Sequence, residues 1–158
     1  MKNLGSIITG IIFGVILTGI AGWKMMPGMM LHENVSPLGV DETVEKIKQL
    51  ALQKGWVVPG IKPLHKSIEK HGGGKLPAVM LVNLCQANHA FNILEDDENK
   101  KISVFMPCTI SVYEKSDGKA YIGTMNAGLL GQMFGGRVAE VMKDVSADQQ
   151  SFIAFAKS

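Results

Sequence analysis

Cys85 and Cys108, the two cysteines of this chain, are the residues best suited to do chemistry. Cys85 stands four residues before His89, and on a helix starting there the two side chains would share one face, one turn apart. Cys108 opens an apolar stretch directly after Met106 and Pro107. Two thiolates, an imidazole and the Met106 thioether form a donor set for Cu or Zn, and the softer donors favour Cu(I). The same residue types also pack as ordinary core, since free cysteine and methionine are routinely buried. The sequence has no C-x-x-C-H run for covalent haem attachment, while noncovalent haem ligation by His or Met stays open.

A second donor cluster, Met25, Met26, Met29, Met30 and His32, follows directly on an apolar N-terminal segment. Thioethers grouped with a histidine can bind Cu(I); flexible apolar methionines also suit a membrane interface or a partner surface. Catalytic patterns are thin. The run Gly72-Gly73-Gly74-Lys75 continues with Leu76, where a phosphate-binding loop needs Ser or Thr. Gly128, Gly131, Gly135 and Gly136 do not make a dinucleotide fingerprint. Cys108 with His65, His71 or His89 makes a nucleophile and base only if the fold joins them, and Asp96, Asp97 and Glu98 read as a solvated turn. The expectation is a protein without catalytic activity.

The elements that must position these groups begin with a membrane segment. Residues 4–23 run for 20 residues without a charge, about 30 Å of helix at ~1.5 Å per residue, which matches a bilayer core. Lys2 and Asn3 precede it, and Trp23 and Lys24 end it with an interfacial aromatic and a snorkelling cation. A cleaved leader would need a shorter run and a clear small-x-small site, which Thr18-Gly19-Ile20-Ala21-Gly22 supplies only weakly. A retained single-pass anchor is therefore expected, in a bacterial inner membrane with the domain on the periplasmic side. Within the span Ser6, Gly10, Gly14, Thr18 and Gly22 recur every fourth residue. That stripe lets two helix backbones approach closely and suggests a helix-packing face, for a second copy or a membrane-protein complex.

Residues 24–30 read as a Met/Pro/Gly hinge, and residues 31–158 as one globular domain. Its charge balance is near neutral, +2 for the whole chain, so no basic stripe points to nucleic acid. Two cysteines are too few for a disulfide scaffold, and their spacing leaves open whether they are free, bonded or metal-bound. Residues 31–36 suit a first strand. Val40, Val44, Ile47, Leu50 and Ala51 fall at helical spacing, with Asp41, Glu42 and Glu45 early and Gly55 as the stop. WVVPGIK is a strand that Pro59 confines to an edge or bulge. A short helix from Pro63 to His71, a buried strand AVMLVNL and a helix from Gln86 to Glu95 burying Ala90, Phe91 and Leu94 follow. ISVFM and TISVYEK read as two strands separated at Pro107-Cys108, and Ser116-Asp117-Gly118-Lys119 as the hairpin turn before KAYIGTM. GLLGQMFGG reads as loop or broken helix, buried as a close-packed connection, and Arg137 onward as helix, interrupted near Ser146. Hairpins dominate, so the class is α+β: an antiparallel sheet packed with helices, preceded by one transmembrane helix.

The succession GW, VNLCQANHAFNIL, FMPCTISVYEK and GKAYIGTMNAGLL resembles the bacterial and archaeal family called domain of unknown function 302 (DUF302), over residues 31 to 142. Where many members carry Asn-Pro after the first cysteine, this chain has Gln86-Ala87. The resemblance implies a compact α+β domain, often dimeric, and no established activity. Two readings of function follow. In the first the chain is a noncatalytic accessory protein, anchored in lipid and associating with itself or a membrane complex through its helix. In the second it is a soft-metal or haem-binding redox protein using Cys85, His89, Cys108 and Met106.

Overall fold

The computed structural model describes residues 2–156, with side chains from Ile8 onward. Lys2–Met30 forms one unbroken helix, α1. Residues 24–30 are thus not a break in the chain: the helix continues through Pro27 to Met30. Proline removes one backbone donor and tends to kink a helix, but here the last turn is held from outside. The Asn126 N–H donates to the Met30 carbonyl at 2.8 Å and its Nδ2 to the Met29 carbonyl at 3.0 Å, filling acceptors a helix C-terminus leaves open. The stretch Ile8–Met30 is long and apolar enough to cross a membrane, a test of length and composition that a signal sequence also passes.

α1 leads straight into β1 (Leu31–Val35), an edge strand of a five-stranded sheet. With β2 (Val57–Pro63), β3 (Val79–Cys85), β4 (Cys108–Glu114) and β5 (Ala120–Met125), the order is β1-β5-β4-β3-β2, every neighbour antiparallel. The α+β class with an antiparallel sheet is as the sequence indicates. β2 lies at the other edge and shifts register between Val57 and Gly60, where Pro59 can forgo its ladder bond.

Two longer helices cover one face of the sheet. α2 (Val40–Gln53) buries Thr43, Val44, Ile47 and Ala51, and α6 (Gly136–Phe152) buries Val138, Val141, Met142, Val145 and Phe152. They close on Val82, Leu84, Ile110, Val112 and Ile122, alternate residues of the three central strands. At the end of α2 the chain reverses through Gly55, at φ +75°, and the Trp56 N–H bonds the Ala51 carbonyl at 3.0 Å. That C-terminal turn drops the Trp56 indole into the core, 2% exposed, edge-on to Phe152 with ring centres 5.6 Å apart.

The shorter helices are α3 (Leu64–Lys70), α4 (Ala87–Leu94) and α5 (Ala127–Phe134). GLLGQMFGG is the broken helix of the two forms expected: α5 ends at Phe134 and Gly135, at φ +70°, separates it from α6, with Leu130 and Gly131 buried and Met133 and Phe134 exposed. Three expectations change. ISVFM is the end of a 3-10 helix, Asp97–Phe105, because β3 and β4 already have a neighbour on both sides and no place remains for another strand between them. α6 runs unbroken past Ser146, whose neighbours Val145 and Gln149 are buried and hold the helix to the core. In α4 it is Ile93 that is buried, whereas Phe91 lies 64% exposed on the outer face.

Candidate functional site

Cys85 ends β3, and the chain turns at once into α4, whose N-cap is Gln86: its Oε1 accepts the His89 N–H at 2.9 Å. Cys85 is therefore a strand residue before the cap, and the pairing with His89 on one helix face does not apply. Both residues nevertheless reach the same place. A cavity of about 30 Å³ lies between β3, β4, α4 and α6, lined by Cys85, His89, Met106 and Cys108 together with Trp56 and Phe105. Its deeper wall is Leu84, Ile93, Ile102, Met142 and Val145. The four donors singled out in the sequence thus face one apolar space. The volume suits a water-sized guest or a single ion; a porphyrin would require the wall to open.

The sheet register brings the cysteines near each other. Cys108 begins β4 directly opposite Leu84 of β3, so Cys85 is one residue out of register with it. Both thiols are free and half-buried. Burial pushes the Cys108 thiol up to about 11, and the nearby Cys85 charge adds to the rise. At neutral pH Cys108 is a protonated thiol, a poor nucleophile as it stands. Binding a cation there would expel its proton.

His89 is the imidazole on the cavity, its ring 5.9 Å from that of Trp56. His65 Nδ1 lies 3.1 Å from the Val79 backbone, and His71 Nδ1 lies 2.8 Å from the Ser67 carbonyl; neither lines the cavity. Behind Trp56 stands Asp148 of α6, which accepts from Trp56 Nε1 at 2.9 Å and Lys54 Nζ at 3.1 Å. The charge of His89 also favours this carboxylate. Among the described residues no three His, Cys, Asp or Glu side chains group closely enough to hold a metal ion. The donors an ion in the cavity could draw on are therefore the sulfurs of Cys85, Cys108 and Met106 on its wall.

The second cluster separates. Met25, Met26 and Met29 are exposed on α1, Met30 packs against the domain core, and His32 lies on β1 opposite Thr124. Of the packing stripe, Gly10, Gly14 and Gly22 have open space where a Cβ would stand, and the Thr18 hydroxyl donates to the Gly14 carbonyl. The Ser6 side chain lies outside the described residues.

A polar cluster on the uncovered face of the sheet escaped the sequence reading. Glu33 accepts from the Tyr113 hydroxyl and from Lys115 Nζ, the latter at 2.6 Å. Tyr113 stacks on Tyr121, ring centres 6.1 Å apart, and Tyr121 donates to Asp117 at 2.8 Å. A groove of about 410 Å³ runs beside them past Leu31, Ser111, Gly123 and Met125. The hairpin at Ser116–Lys119 already implied that Tyr113 faces Tyr121 across the strands; Glu33, on β1, depends on which strand joins the far side.

No curated protein matches the chain. Its fold is similar to the crystal structure of the uncharacterized conserved protein DUF302 from Bacillus stearothermophilus, with a TM-score of 0.72 at 21% identity, over 81% of this chain and 98% of that one. At that identity the likeness speaks for the fold alone. The sequence carries the remaining step: residues 32–156, from β1 to the last turn after α6 and including every residue around the cavity, match the domain of unknown function DUF302, and the chain belongs to that family.

Proposed function

We propose that this chain is a membrane-tethered binding protein for a soft metal ion, Cu(I) ahead of Zn(II), and not an enzyme. The observation that carries the reading is the meeting of Cys85, His89, Met106 and Cys108, from separate segments, on one cavity of about 30 Å³. Thiolate and thioether sulfur in an apolar setting select Cu(I), for which two thiolates suffice, whereas Zn(II) wants four donors in a tetrahedron. This reverses the order of the two readings drawn from the sequence. In this reading α1 spans a bacterial inner membrane, lipid surrounds it, and the periplasmic domain rides directly on the helix end with no linker. Purified untagged protein, reduced and offered Cu(I), is expected to retain one equivalent, which Cys108→Ser loses and Met106→Leu weakens. A protein that keeps no Cu(I) against a weak competing chelator overturns the reading.

The accessory reading stands beside it because α1 leaves Gly10, Gly14 and Gly22 with open space around them, as a close helix crossing needs. Crosslinking in detergent is expected to give dimers or a larger complex that Gly10→Leu with Gly14→Leu abolishes. Monomer alone, unchanged by the pair, removes this second reading.

A further inference from the structure

The same two thiols have a second chemistry that needs no metal. β3 and β4 are paired with Leu84 opposite Cys108, and Cys85 is the next residue along. With strands ~4.8 Å apart and a rise of ~3.4 Å per residue, the two cysteine Cα atoms stand on the order of 6 Å apart. That falls inside the ~4.4–6.8 Å span a disulfide bridges. Strict alternation along β3 would send Cys85 to the face opposite Cys108 and forbid the bond. β3 ends at Cys85, however, and where the chain turns toward α4 both cysteines line the one cavity. The cavity they line leaves about 30 Å³ of open space beside them.

We infer that Cys85 and Cys108 form a reversible dithiol–disulfide couple that exchanges with a disulfide substrate, either a small-molecule disulfide or a cystine of another protein. Cys85 stands where β3 gives way to α4, whose first residues Ala87 and Asn88 are exposed. The Cys85 thiolate attacks one sulfur of the substrate, forming a mixed disulfide and releasing the other sulfur as a thiolate. Cys108, giving up its proton as it attacks, then bonds to the Cys85 sulfur, so that the internal S–S bond forms, the mixed disulfide breaks and the second substrate sulfur leaves as a thiolate. The two protons lost by the cysteines end on the two released thiols. The protein dithiol is oxidised by two electrons, and the substrate disulfide is reduced to two thiols. The oxidised pair has no thiolates to offer a metal, so the couple and metal binding exclude each other at this cavity.

The test uses the full chain in detergent with a metal chelator present throughout, equilibrated in glutathione buffers of graded reduced-to-oxidised ratio, acid-quenched, alkylated and weighed intact. The parent is expected to pass in one step from two alkylated thiols to none, with no glutathione retained. Cys108→Ser is expected to stop with a single glutathione on Cys85. A parent that keeps two alkylatable thiols across the whole range, or gathers two glutathiones without an internal bond, overturns the inference. The parent result is decisive whether or not the variant folds. Because metal is absent, a protein that cycles here but retains no Cu(I) when reduced loses only the metal reading; one that holds Cu(I) and does not cycle loses only this inference.

Discussion

Trp56 Nε1 donates to Asp148 Oδ2 at 2.9 Å, joining residues 92 positions apart and fixing α6 to the tryptophan that walls the cavity. Burial raises the pKa of this carboxyl, but the Trp56 and Lys54 hydrogen bonds and the Lys54 charge outweigh it, leaving it below the ordinary 3.8. A depressed folded pKa gives stability that is present above the unfolded value and lost as pH falls through the folded one. Asp148→Ala is expected to cost about 1.5–3 kcal/mol at neutral pH, the range for a hydrogen bond to a charged group. The gap between variant and parent should narrow in acid. Urea unfolding of both proteins at neutral and acidic pH checks this, and a gap that ignores pH refutes the role given to the charge.

α5 and α6 cross on glycine. A Cβ at Gly131 would stand 2.5 Å from Met142 Cβ and 3.2 Å from Ala139 Cα, atoms close to or in the backbone that cannot swing aside. At Gly128 the nearest obstacle is the Ser146 hydroxyl at 3.4 Å, which can rotate away. Alanine gains up to ~1 kcal/mol over glycine inside a helix, while overpacking costs about 1–3 kcal/mol. Gly131→Ala is therefore expected to destabilise and Gly128→Ala to be neutral or stabilising. Thermal unfolding of the two variants side by side decides it; equal effects would mean that the crossing is looser than described.

The sequence carried the strands well, because the hairpin turn at Asp117-Gly118 and the edge-marking Pro59 act within a few residues. It misled at ISVFM, whose β-branched and aromatic residues Ile102, Val104 and Phe105 are typical of a strand. Only the direct pairing of β3 with β4 shows that the segment between them is left out of the ladder they form. The donors Cys85, His89, Met106 and Cys108 were legible by residue type, but their meeting depends on the β3–β4 register, which no local pattern encodes. Asp148 and Glu33 were invisible for the same reason: each acts on residues far away in the chain.

Thr124 is 3% exposed, and its Oγ1 is the buried side-chain polar atom without a hydrogen-bond partner among the described residues. An unpaired buried hydroxyl costs about 1–3 kcal/mol, and an apolar group of the same shape avoids that cost. Thr124→Val is expected to raise stability by about 1 kcal/mol, shifting the urea midpoint without changing the slope. A lower midpoint would reveal a bond made by this hydroxyl.

The cluster around Glu33 predicts how the two tyrosines of the chain titrate. The hydrogen bond from Lys115, then that from Tyr113, holds the Glu33 carboxyl below its usual range. Burial, then the hydrogen bond to Glu33 and its charge, pushes the Tyr113 phenol up to about 12. Tyr121 is raised as well, chiefly by its bond to Asp117. Ultraviolet absorbance in alkaline titration should therefore show both phenols ionising above the ordinary 10.0, Tyr113 last. Glu33→Gln removes the charge and keeps an acceptor, so the Tyr113 midpoint should fall yet stay above 10.0, because burial is the larger cause. Tyr121→Phe leaves one phenol and assigns the transition. If the single remaining phenol ionises at its ordinary value in the parent background, β1 does not hold Glu33 against Tyr113, and the arrangement of the open face is wrong. If instead the fall with Glu33→Gln is complete, the neighbouring carboxylate rather than burial governs Tyr113.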